Sequence, residues 1–161
     1  MKFRIPKTIS SAKAFCKKLC DEHHVSISFD DKFGNFGNTW NQCIHGKSIE
    51  CSMFNDWNGD LLVFAVMHEL GHRYYERDNE FGRMNGFVRE LWCWIYAINL
   101  HRETFGVNIS IKQARYMMDC LNSYIPDYNK NGANHYNCMG TDYINQIESP
   151  FWCPISQKVR K

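Results

Sequence analysis

Residues 63–75 read Val-Phe-Ala-Val-Met-His-Glu-Leu-Gly-His-Arg-Tyr-Tyr, an apolar, helix-compatible run with His68-Glu69-x-x-His72 at its centre. A helix places side chains four apart on one face, so the imidazoles of His68 and His72 can converge on one point. Two imidazole nitrogens at that spacing form most of a metal site, and Glu69 stands beside the point of convergence rather than on it. The rest of the chain must then supply a third ligand.

At 161 residues and 19.0 kDa the chain is the size of one domain. Within a single domain of residues 1–161, we expect an N-terminal helix and sheet over 1–60, metal-site helices over 61–101, and a helical subdomain with an irregular tail over 102–161. Nineteen basic against 17 acidic residues leave a net charge of +2, which argues against a nucleic-acid coat or a trap for acidic substrates. No direct nucleic-acid binding is expected. Eight cysteines include no Cys-x-x-Cys pair, so a second metal site is not expected, and the lack of a secretory h-region predicts a cytoplasmic protein with mostly reduced thiols. The longest apolar stretch, residues 61–67, falls far short of the ~20 needed to span a bilayer. A monomer is assumed.

Periodicity predicts the elements. Ala12, Phe15, Cys16 and Leu19 mark an amphipathic helix over 11–23, and Val25, Ile27 and Phe29 alternate as a strand. Residues 39–44 and 48–54 flank His45-Gly46-Lys47 as a β-hairpin. Asp60 is the expected N-cap of a helix over 61–76. Phe87, Leu91, Trp94, Ile95 and Ile98 stripe a helix over 81–101. Ser110-x-x-Gln113 opens a further helix as a capping box, with Ile111, Ala114, Met117, Met118, Leu121 and Ile125 inward and Pro126 as its stop. A short helix is expected near 142–147.

Glu90 is the best third ligand. It lies three residues after Phe87 and four before Trp94, on the face that packs inward, where a carboxylate without a partner is costly. Coordination removes that cost, as would a salt bridge to an inward arginine. Asp78, ten residues after His68, and His101 and His135 are alternatives, and Glu76 lies about 6 Å too far along the helix.

His68, Glu69, His72 and Glu90, with the acidic-then-apolar Glu90-Leu-Trp-Cys-Trp-Ile-Tyr-Ala97, resemble the zincin metallopeptidases, and more narrowly the gluzincins. The element order also resembles the small intracellular peptidases of the ImmA/IrrE type. The resemblance implies an α+β, zincin-like fold: a small, mostly antiparallel sheet packed on an active-site helix and a third-ligand helix, with additional C-terminal helices. It also implies one catalytic zinc ion on His68, His72 and Glu90. A metzincin-like subgroup places an Asp where Asp78 stands but wants Gly at the position of Tyr75, and Gly140-Thr141-Asp142 resembles the aspzincin motif without its two intervening residues.

The expected activity is an endopeptidase acting on a cytosolic polypeptide, with Glu69 as general base and Tyr74, Tyr75, His101, His135 and Tyr136 as candidate transition-state stabilisers. Residues 48–54, as a sheet edge, would hold an extended substrate by main-chain pairing. The competing expectations are a non-catalytic, zinc-stabilised binding or antagonist module and a zinc amidase acting on a non-peptide substrate.

Overall fold

A computed structural model describes residues 2–30, 42–44, 48–52, 58–75, 84 and 86–124. In chain order these form α1 (Ile9–Glu22), β1 (Ser26–Asp30), β2 (Gln42–Ile44), β3 (Ser48–Ser52), α2 (Gly59–Tyr75), α3 (Gly86–Phe105) and α4 (Ile111–Ser123). The fold is mixed and mostly helical.

The most buried element is α2. From Leu61 to Gly71 every residue is buried, as expected of a helix that is apolar on all sides and therefore packed on all sides. It packs on α1, α3, α4 and the sheet. Its start differs from expectation: Asn58 Oδ1 accepts from Leu61 N at 3.0 Å and caps the helix, while Asp60 sits in the first turn. Asp60 faces inward and pairs across the structure, so its carboxylate is not spent on the cap. Gln113 Nε2 donates to Asp60 Oδ1 at 2.7 Å, and Gln113 Oε1 accepts from Ser110 N at 2.6 Å in the expected capping box. One buried amide thus joins the start of α4 to the start of α2.

Helix α1 begins at Ile9, two residues before the apolar stripe suggests, because Thr8 Oγ1 accepts from Ser11 N at 3.2 Å as the N-cap. It ends in a turn where Val25 N donates to Cys20 O and His24 N to Asp21 O, with His24 at φ 57°. That left-handed residue redirects the chain into β1.

The sheet corrects the expected mostly antiparallel arrangement. Strand β3 lies between the other two, parallel to β1 over five residue pairs and antiparallel to β2 over three. The chain reverses direction on entering β2 and again on entering β3, so β3 runs as β1 does. Ile49 and Cys51 are the most buried strand residues, and placing them centrally puts both under the helices with Ile27 and Phe29 beside them. With neighbours on both sides of 48–50, β3 is not the sheet edge expected there. Among the described residues the edges are β1 and β2.

Helix α3 extends four residues beyond His101, while the expected start at Phe81 lies outside the described residues, as does the short helix near 142–147. On α4, Met117 and Leu121 are fully buried as expected. Ile111 is 63 % exposed, because the first residue of the helix projects beyond the α2 surface, and Met118 is only half-buried.

Helices α2 and α3 come near backbone contact at Gly71. A Cβ there would stand 2.9 Å from Cys93 Cα and 3.0 Å from its carbonyl oxygen, both rigid backbone atoms. Gly71→Ala is therefore expected to destabilise the protein by about 1–3 kcal/mol through forced separation of the two helices. Denaturant unfolding would measure this, and an unchanged midpoint would refute the close approach.

Candidate metal centre

His68 and His72 occupy successive turns of α2, and Glu90 sits in the second turn of α3 directly across the close contact. His68 Nε2 lies 3.3 Å from His72 Nε2 and 3.0 Å from Glu90 Oε2, and His72 Nε2 lies 3.4 Å from Glu90 Oε1. Donor atoms about 2.1 Å from a tetrahedral zinc ion stand about 3.4 Å from one another, so the three groups are spaced as ligands of one ion. Two imidazoles and a carboxylate are also donors that suit zinc. The three can hold a metal ion, and among the described residues no other group of His, Cys, Asp and Glu side chains converges in this way.

The cluster is electrostatically coupled. Burial pushes the Glu90 carboxyl up, but hydrogen bonds from His68 and His72 and their charge outweigh it and hold Glu90 at about 2. Burial likewise favours neutral His72, yet the hydrogen bond to Glu90 and the negative charges of Glu90 and Glu69 raise its pKa above the ordinary 6.5, against a smaller opposing effect of Arg89. An ion bound here must displace the His72 proton.

Several neighbours hold these groups in place. The Trp94 indole stacks on the His68 ring with centroids 3.9 Å apart and planes at 29°. Cys93 Sγ lies 3.3 Å from His72 Nδ1. The Tyr124 ring edge lies 3.5 Å from where a Gly86 Cβ would stand, one turn before Glu90. Burial, then the charges of Glu90 and Glu69, push the Tyr124 hydroxyl pKa upward and keep it protonated.

Glu69 is only 5 % exposed and lies outside the converging set. Its charge is felt by Cys51 on β3 and by Tyr116, Cys120 and Tyr124 on α4. Each of those groups is pushed up first by burial, Cys51 to about 12 and Cys120 to about 11. Glu69 thus exerts its charge on groups of β3 and α4 that burial keeps protonated. The sequence reading turned the apolar stripe of α4 inward and overlooked Tyr116, Cys120 and Tyr124, whose spacing of four marks a second inward face. Cys93 was overlooked too, although it lies three residues from Glu90.

The candidate stabilisers divide by position. Tyr74 is 62 % exposed and stacks with Tyr75 and Tyr96 away from the cluster. Tyr75 turns to Trp92 and Tyr96. His101 is fully buried 11 residues after Glu90, about 16 Å along α3. It lies between Phe64 and Phe105 with Nε2 3.7 Å from Asp60 Oδ1, an electrostatic contact too long for a hydrogen bond. It belongs to the opposite end of α2, because its helix runs away from the site. Asp78, His135, Tyr136 and Asp142 lie outside the described residues.

The sign of each shift fixes a pH window for chelator-treated protein. Glu90 contributes stability fully above its ordinary 4.5 and loses that contribution as pH falls toward about 2. His72 contributes fully below 6.5 and loses its contribution as pH rises through its elevated pKa. The difference in unfolding midpoint between wild type and Glu90→Gln is expected to be greatest between about pH 4.5 and 6.5 and to shrink on both sides. A difference that stays flat across a pH series would show that the pair is not ionised as described.

No family model matches the chain, and neither a curated protein nor a solved structure matches it. Function is therefore argued from the geometry of this site.

Proposed function

We propose that the protein is a zinc-dependent endopeptidase of gluzincin type that hydrolyses peptide bonds of a cytosolic protein, with His68, His72 and Glu90 as zinc ligands and Glu69 as general base. The observation that carries this reading is Glu69, a carboxylate almost wholly buried next to three metal-ligating side chains and not among them. Hydrolysis needs a base beside the ion and outside its ligand set.

Zinc held by these residues would lower the pKa of a bound water to about 7 and polarise the scissile carbonyl. Glu69 takes the proton of the attacking water and hands it to the leaving amine. The buried hydroxyls of Tyr124 and Tyr116, kept protonated within reach of the Glu69 charge, are candidate donors to negative charge developing on the substrate. Strand β2, the edge beside α2, offers main-chain groups for an extended polypeptide.

A second reading, a zinc-stabilised binding or antagonist module, draws support from burial. The side chains of His68 and Glu90 are 7 % and 14 % exposed, which leaves little of the cluster open to a substrate.

Metal analysis and hydrolysis assays on an unfolded protein, on small amides and with chelator separate these readings. Wild type is expected to carry one zinc ion per chain and to cleave the unfolded protein. Glu69→Gln is expected to keep the ion and lose at least about a hundredfold in rate, and Glu90→Ala to lose zinc affinity. Stoichiometric zinc without any cleavage by wild type supports the binding module. Cleavage of small amides alone indicates an amidase, and full activity in Glu69→Gln removes the enzyme reading.

A further inference from the structure

We propose that Cys93 is the positioning residue that orients His72 for metal binding, its sulfur accepting a hydrogen bond from Nδ1–H so that the Nε2 lone pair faces Glu90 and the ion. The inference rests on the zinc reading above.

A neutral imidazole carries one proton, and for Nε2 to ligate an ion that proton must sit on Nδ1. Metal-bound histidines usually give this proton to a carboxylate or a backbone carbonyl, which fixes the ring and raises its basicity. Here the atom within reach is a sulfur, Cys93 Sγ, at 3.3 Å. Its placement is fixed by packing. Cys93 is fully buried, and its backbone abuts Gly71, the residue immediately before His72, where α2 and α3 come near backbone contact. Glu90 and Cys93, three residues apart, share a face of α3, so one helix grips both nitrogens of the same ring. His68 is held differently: its Nδ1 has no hydrogen-bond partner, and its ring lies against Trp94.

The test compares wild type, Cys93→Ala and Cys93→Ser in the full chain. Zinc affinity is read by competition with a chromogenic chelator, and the His72 tautomer by ring nitrogen NMR shifts of the zinc-loaded protein. Cys93→Val, which fills the volume without an acceptor, replaces the alanine variant should that fail to fold. Loss of the acceptor is expected to lower zinc affinity about ten- to a hundredfold and to disturb the His72 ring shifts. Serine, whose hydroxyl accepts the same proton, should restore most of the affinity. Wild-type affinity and unchanged His72 shifts in Cys93→Ala would reduce the contact to packing and overturn the proposal, as would equal losses in the alanine and serine variants. A wild type that binds no zinc overturns the zinc reading and this inference together. Tight zinc binding with an indifferent Cys93→Ala overturns this inference alone.

Discussion

A carboxylate and two imidazoles share the interface between α2 and α3, and the structure around them follows from the need to satisfy all three in a place nearly closed to water. One of these groups alone would be costly there, because burial removes hydration that nothing returns. Together they exchange charge and hydrogen bonds at 3.0–3.4 Å. The exchange requires two helices near backbone contact, which Gly71 permits by presenting no side chain to Cys93. A bulkier residue would move Glu90 away from both rings at once. The glycine inside the His-Glu-x-x-His segment is thus as much a part of the site as its ionisable members.

The sequence made this part of the molecule legible because two periodicities intersect there. The spacing of His68 and His72 matches one helical turn, and Glu90 interrupts an apolar stripe at a position that has to face inward. Both inferences need only local geometry. The parallel pairing of β1 with β3 was not legible, since alternation announces a strand without naming its neighbours. His101 was misplaced for a related reason: its type suited the site, but its distance along α3 commits it to Asp60. Residues of α4 escaped notice because Tyr116, Cys120 and Tyr124 look amphipathic, and their inward face emerges only when α4 is packed against both other helices. Nor could local pattern separate the cap Asn58 from Asp60, whose carboxylate is drawn to Gln113 by a residue 53 positions away.

The two ends of α2 carry opposite charges for reasons of the helix itself. Aligned peptide dipoles leave the start of a helix partly positive and its end partly negative. Asp60 occupies the first turn, and His68 and His72 lie toward the last turns, where a cation is favoured. Gln113 anchors the first end through α4, and Glu90 anchors the second through α3. A shift of α2 along its axis would break both polar pairings together, so the buried polar groups specify one register of an otherwise uniformly apolar helix. Dispersion and hydrophobic burial alone would allow neighbouring registers at little cost, since Leu61 to Leu70 presents apolar surface in every direction but two.

Access to the cluster is uneven, and the unevenness bears on how it could work. His68 is covered by Trp94, and the Glu90 side chain is 14 % exposed, whereas the His72 side chain is 26 % exposed and is the most open of the three. The open side of the cluster is therefore the His72 side, near the end of α2, while Glu69 is only 5 % exposed. The covering that makes the site look like a structural centre also keeps water from screening the attraction of His68 and His72 for Glu90.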